Sequence, residues 1–522
     1  MSPMAALQQH LSDGMKPAGN LNNLLPNVAY SHMESELEDQ PIIEEAGVAW
    51  SQGLFPHNGA ATIVGETKHA SSRTSSTRWL DHPLGTSLII QMPWIGLSLL
   101  YFSVFELMTS YLTSMGVHNY VSRYLPSFLT FALAPIVGAA SDRCRSKFGR
   151  RNHFMILAAI KLTISVLLFG ASKTIFGDHL FLLSVNVLVI VWGTVSMEVA
   201  LRARIFDDIP KEYQVQAQAC GSIWHSVGVT LGMVLLGGGS KVVYGDQISE
   251  LVLLRTCGIA VGAIVITVAL SMYLKPERPL LQERLITVSI ERFFKEIWDV
   301  IVTAPMEIKL LCLLQLVIWM AWYAFDNQKF TWWAEYVFLG CQQPTDNSTT
   351  ACTNAHVALY MDGLDLARNA VQGISAVEFI STLAFFVVIP KNPTPTQLKR
   401  VNVTFMAIGV VMLFVAMIVG PRLHWLTFAA FIGVGTFFAT IIILPFAMTG
   451  IIAKDFMDSG ARFNNNGIYV ALLMQFANCA KFTVENYNSS DISSFGTDNV
   501  LALPALLFVL STIFTFFYKY EL

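Results

Sequence analysis

Pro135-Ile136-Val137-Gly138-Ala139-Ala140-Ser141-Asp142-Arg143-Cys144-Arg145-Ser146-Lys147-Phe148-Gly149-Arg150-Arg151 is the stretch on which the reading of this chain turns. An apolar run stops at a carboxylate. Arg143, Arg145, Lys147, Arg150 and Arg151 then follow within nine positions, and a second apolar run opens at Phe154. Two membrane-spanning helices joined by a tight basic loop produce this pattern, and Lys and Arg collect on the cytoplasmic side. Composition agrees. Of 522 residues, 54% are hydrophobic and 13% are charged, against about 25% charged in soluble domains. The fold class expected is an all-α membrane protein.

Working outward, spans of roughly 20 apolar residues fall near 88–114, 122–141, 154–173, 179–205, 217–240 and 251–274. After a charged stretch come 307–327, 358–389, 401–421, 425–450, 466–485 and 499–518. That gives twelve transmembrane helices in two six-helix halves, 81–274 and 305–522, joined by a cytoplasmic linker at 275–304. The linker's Glu291-Arg292-Phe293-Phe294-Lys295-Glu296-Ile297-Trp298 mixes charge and apolar residues as an interfacial helix does. Residues 1–80, rich in Ser, Asn and Pro, read as a disordered cytoplasmic tail.

Charge fixes the expected orientation, with both termini cytosolic. Lys211, Lys275, Arg278, Arg284, Arg292, Lys295, Lys391, Lys399, Arg400, Lys454 and Arg462 fall in alternate loops. Asn347-Ser348-Thr349 lies in an opposite loop between Cys341 and Cys352, and Asn488-Ser489-Ser490 falls on the same side. A sequon flanked by two cysteines suits an extracellular or lumenal face, where Cys341 and Cys352 are expected to pair. The seven cysteines show no CxxC pair or zinc spacing, so no metal is expected. No basic stripe interleaved with aromatics points to nucleic acid. No triad or phosphate loop anchors an enzyme, so no catalytic residue and no cofactor is expected.

The basic loop also carries a resemblance. Gly138-x-x-x-Asp142-Arg143…Gly149-Arg150-Arg151 resembles the loop between helices 2 and 3 of the major facilitator superfamily. Its longer form, Pro-Ile-Val-Gly-x-x-Ser-Asp-Arg-Cys-x-Ser-x-Phe-Gly-Arg-Arg, is similar to plant sucrose–proton symporters and their animal solute-carrier relatives, within the glycoside–pentoside–hexuronide cation symporters. The resemblance implies a major facilitator fold and a gating role for Gly138, Asp142, Arg143, Gly149, Arg150 and Arg151. Arg202-Ala203-x-x-x-Asp207 is similar to the Arg-Ala-Leu-Leu-Ala-Asp of the plant proteins. Their proton-coupling Asp lies further upstream, near Val191 here. That acid is absent, and Glu198, at a different depth, is expected to take its place. Trp319-x-Ala321-Trp322 is similar to the seventh helix of the sucrose symporters, whose Thr-Asp-Trp is Thr331-Trp332-Trp333 here.

An ionisable group inside the bilayer costs about 2.5–3.5 kcal/mol, so each needs a reason. Glu198 and Arg202 stand four apart on one helix face, close enough to pair. A carboxylate beside an Arg takes a proton when something competes for that Arg. The plainer alternative is a static brace. Glu106 interrupts the first span beside Ser103, Thr109 and Ser110, a setting that suits sugar hydroxyls. Trp319, Trp322, Glu378 and Gln475 are candidate cavity residues. Arg204 with Asp207 and Asp208 reads as a helix-end charge cluster.

The function expected is a proton-coupled sugar symporter, sucrose-like or hexose, with the proton as coupling ion and the lipid bilayer as surroundings. A carrier of a lipid or organic acid, or a non-transporting sensor on the same fold, is the alternative. Glu38-Asp39-Gln40-Pro41-Ile42-Ile43 and Tyr30-Ser31-His32-Met33 match sorting patterns read by adaptors. The expected membrane is plasma or endolysosomal, and the expected state is a monomer. The topology predicts glycan on Asn347 and none on Asn402, whose sequon falls at the cytosolic end of the ninth span. Glycosidase mobility shifts should shrink in Asn347→Gln and be unchanged in Asn402→Gln; the reverse outcome inverts the topology.

Overall fold

Proline and short polar residues set many of the helix starts. His82 accepts the Leu84 N–H through Nδ1 at 3.2 Å, with Pro83 in the first turn. Thr353 caps the eighth helix, and Thr394 with Gln397 forms a capping box, again followed by Pro. A computed structural model describes residues 78–117, 125–177, 179–237, 250–279, 290–341, 353–391, 393–458, 465–486 and 499–518. The expected tail up to residue 77, its sorting patterns, Asn347, Cys352 and Asn488 lie outside the described residues.

Twelve long helices run through the described residues. In chain order they are α1 Pro83–Thr113, α2 Leu125–Arg143, α3 Arg150–Gly170, α4 Leu180–Asp208, α5 Gln214–Gly237 and α6 Glu250–Leu274. After a linker helix, Ile290–Thr303, follow α7 Met306–Val337, α8 Asn354–Val388, α9 Pro395–Val419, α10 His424–Asp458, α11 Asn466–Asn486 and α12 Ala502–Phe517. Ten of the described helices are long and apolar enough to cross a membrane; α5 and α12 are not among those ten. α5 carries Gln214, Gln216, Gln218, Ser222, His225 and Ser226, all buried, so its polar face is turned into the bundle. The chain is a multi-pass membrane protein.

Two helices depart from the expected bounds for the same reason. A hydropathy window stops at charge. α7 continues ten residues, nearly three turns, beyond 327, and Asp326 and Lys329 pair with each other inside it. It ends in a π-helical turn, Trp332–Val337, where Trp332 and Trp333 are fully buried. α10 runs to Asp458, eight residues beyond 450, carrying Lys454 and Asp455 in its last turns. The linker helix exposes Phe294, Trp298 and Val302 at four-residue spacing, an apolar stripe suited to a membrane surface.

The halves meet along two seams, α2 on α11 and α5 on α8. In the first seam two glycines cross. A Cβ on Gly138 would lie 2.5 Å from the Gly467 carbonyl oxygen, and one on Gly467 would lie 2.6 Å from that of Gly138. Backbone cannot yield as a side chain can. Gly138→Ala is therefore expected to cost about 1–3 kcal/mol and to lower the melting temperature in detergent. Gly258→Ala, with open space at that position, should not lower it. Equal melting of both variants would deny the close crossing.

Candidate functional site

Three polar groups inside the bundle stand out, and each joins the halves or lies between them. The first is the basic loop. Asp142, at the end of α2, accepts the N–H groups of Gly467 at 2.9 Å and Ile468 at 3.1 Å, the opening residues of α11. The positive end of a helix dipole favours a carboxylate there. Of the three arginines in the gating motif, Arg143, Arg150 and Arg151, it is Arg151 that binds Asp142, at 2.5 Å, and also Ser141 and Asp207. Arg150 goes instead to Asp207 at 2.6 Å. Arg143 goes to Glu296 of the linker helix, lying over the Phe293 ring.

Asp207 is thus more than part of a helix-end cluster. It receives Arg150, Arg151 and the Asn466 amide, tying α4 to α3 and α11. Arg204 binds Asp208, Asn152 and the Lys275 carbonyl. Glu277, just past α6, accepts the first N–H groups of α3 from Arg151 and Asn152 at 2.9 and 2.8 Å. Burial holds its carboxyl above the usual carboxylate range, although those N–H bonds pull the other way. Gly149, at φ +96°, is where Glu277 passes; a Cβ would collide with it.

The second group is Glu198 and Arg202 on α4, whose closest atoms are 3.4 Å apart. Arg202 is buried with its guanidinium 3.6 Å from the centre of the Phe446 ring and 4.8 Å from that of Trp94. Glu198 is less buried than its partner. Tyr101 of α1 and Tyr323 of α7, one from each half, both lie near enough to Glu198 to sense its charge. Gln315, Trp319 and Tyr323 recur at four-residue spacing on α7. The Gln315 amide and the Trp319 indole N–H are buried without hydrogen-bond partners.

The third group surrounds a small central cavity. Its volume is about 20 Å³, room for roughly one water. Trp322, Asp326, Lys329, Glu378 and Phe438 line it, with Trp322 stacked on Phe438 at 4.0 Å. Glu378 is fully buried and meets His225 and Ser222 of α5, neither of which the sequence singled out. Of the other candidates, Trp319 packs on Tyr323 at 5.2 Å, and half-buried Gln475 sits on α11, outside the cavity lining. Glu106 lies among the charges of Lys329, Asp326 and Arg368. Cys341 is disulfide-bonded. Asn402 is 3% exposed within α9.

The general α-glucoside permease of Schizosaccharomyces pombe is 28% identical over 242 residues, 42% of this chain and 42% of that protein. A sucrose transport protein of rice, Oryza sativa, is 23% identical over 271 residues, 46% of this chain and 50% of that protein. The human proton-associated sugar transporter A is 33% identical over 131 residues, 23% of this chain and 16% of that protein. The chain spans half or less of the length of these curated relatives. No family model matches it. Among solved structures, the Escherichia coli fucose:proton symporter superposes with a TM-score of 0.56 at 13% identity, covering 84% of this chain and 98% of that one. The human organic anion transporter gives 0.57 at 14%, covering 83% and 98%.

The fold is that of the major facilitator superfamily. Solutes as different as fucose and organic anions use it, so the fold does not choose the solute.

The Asp142 cradle predicts a local phenotype. Asp142→Asn keeps the shape but gives up the charge-assisted bonds to Arg151 and the α11 N-terminus, an expected loss of about 2 kcal/mol. Ala471, fully buried, packs against Gly138 in this seam. A cysteine placed there should react with maleimide several-fold faster in the Asp142→Asn background. An unchanged rate would show that the seam does not lean on this carboxylate.

Proposed function

We propose that the chain is a proton-coupled sugar symporter working by alternating access, with the proton as its coupling ion. One observation carries the reading. Along α7, buried polar groups beside aromatic residues lack hydrogen-bond partners. Buried polar atoms are almost always partnered, so the free Gln315 amide and Trp319 indole N–H suit a ligand rich in hydroxyls. Rings such as Trp94, Tyr101 and Tyr323 suit the apolar faces of a sugar. The relatives named as sucrose, α-glucoside and proton-associated sugar carriers support the same class.

Glu198 is the proposed coupling acid and Arg202 its partner. Their 3.4 Å contact is loose for an ion pair, so a substrate hydroxyl or a movement of α4 can compete for the guanidinium. When Arg202 turns away, the carboxylate keeps its desolvation and loses its counter-charge, and a proton becomes the cheaper companion. Glu106, among the charges of α7 and α8, is placed to bind hydroxyls nearer the end away from the basic loop. That loop is read as cytosolic with both termini, the membrane as plasma or endolysosomal, the working unit as a monomer, and the tail as a site for sorting adaptors.

Glu198→Gln should abolish accumulation of labelled sucrose or maltose driven by a pH gradient while leaving measurable exchange. Arg202→Gln should lower both, because it leaves a buried carboxylate unpaired. Vesicle uptake against counterflow at two pH values, with membrane expression matched, separates these. Accumulation that survives in Glu198→Gln would leave the Glu198–Arg202 pair as a brace.

A further inference from the structure

His225 and Glu378 form a second buried pair of opposite polarity, and it spans the seam that must open. Glu378, on α8, is fully buried, and His225, on α5, is 7% exposed. His225 Nδ1 lies 3.0 Å from Oε1 and 3.3 Å from Oε2. Ser222 donates to the same Oε1 at 2.9 Å. Ser222 also meets Thr382, and Ser375 donates across the seam to the Ser226 carbonyl at 2.8 Å. One carboxylate oxygen thus faces two groups on the opposite half, an arrangement that suits the ionised acceptor.

The charges around this pair are few. α1 and α10 present rings to the imidazole: Trp94, Phe102 and Phe438. α7 contributes Asp326 and Lys329, paired with each other on the wall of the shared cavity. Lys329 also answers Glu106 of α1. On α8 itself, Arg368 pairs with Asp365 at 3.2 Å. His225 is therefore the group placed to neutralise Glu378.

We propose that His225 and Glu378 are a proton-loaded latch between the two halves. With a proton on the imidazole the pair is neutral overall and charge-assisted, and the α5–α8 seam closes. With that proton lost, a carboxylate remains buried opposite a neutral ring. That state is costly, and it favours a conformation in which water reaches Glu378. The proton leaves to the aqueous side that then opens. The place of this step in a transport cycle rests on the symporter reading; the latch itself does not.

Spin labels at Leu231→Cys on α5 and Ile380→Cys on α8, both exposed, report the seam in full-length protein with Cys144 and Cys479 replaced by Ser. The distance distribution should be narrow at pH 5.5. At pH 8.0 a longer-distance population should rise at least threefold. In His225→Asn and Glu378→Gln the distributions should coincide at the two pH values. A wild-type distribution indifferent to pH overturns the latch, even if neither variant folds; so does a pH response that persists in either variant. Counterflow of labelled sucrose on the same preparations keeps the two ideas apart. Absent counterflow with an intact pH response sinks the symporter reading alone, and the opposite result sinks the latch alone.

Discussion

A carboxylate sits on the positive end of a helix from the other half of the molecule, and the closed form depends on it. Asp142 reaches the α11 N–H groups because Gly138 and Gly467 let two backbones cross with no side chain between them. Arg151, with no exposed side-chain surface, then has to be paid for, and Asp142, Asp207 and Ser141 do so together. Removing the Asp142 charge leaves Arg151 with Asp207 and Ser141, so the loss is about 2 kcal/mol. A methyl group on either glycine acts through geometry instead, by lifting Asp142 off its donors. Local spacing and long-range electrostatics are therefore one constraint here.

The remaining contacts between the halves are lighter. Midway along the bundle they are hydroxyls, one His–Glu pair and aromatic stacking around a cavity of about 20 Å³. Beyond it, Ser127 of α2 donates to Glu485 of α11 at 2.9 Å. A cavity of that size has room for about one water and no sugar. A carrier needs conformations separated by only a few kcal/mol if ligand and proton are to shift them. Hydrogen bonds worth about 1 kcal/mol each suit the moving seam, and the ion network at the basic-loop end suits a switch with two discrete states.

Much of this was legible in the sequence. Twelve apolar runs and one basic loop are local signals, and the bilayer makes them strong, because every backbone group in lipid must be satisfied within a helix. The Gly138–Arg151 stretch held Asp142, Arg150 and Arg151 of the ion network, and the Arg202–Asp207 spacing marked a charged α4. What escaped reading is pairing at a distance. His225 and Ser222 look like ordinary polar residues in α5 until Glu378, more than 150 positions later, is placed beside them. Arg150 and Arg143 look equivalent to Arg151, yet each finds a different acid. The end of α7 was misjudged because Asp326 and Lys329 count as two charges to a hydropathy window and as one neutral pair to the folded helix.

The central claim is that an imposed proton gradient moves sugar uphill through this chain. The most direct measurement is uptake of labelled sucrose and maltose into proteoliposomes of the purified wild-type protein, with an inwardly directed pH gradient, without one, and with a protonophore. Accumulation above the external concentration with the gradient, collapsing to equilibration with the protonophore, is the result the account predicts. Equal uptake under all three conditions, or none with either sugar while the protein remains folded, would contradict it.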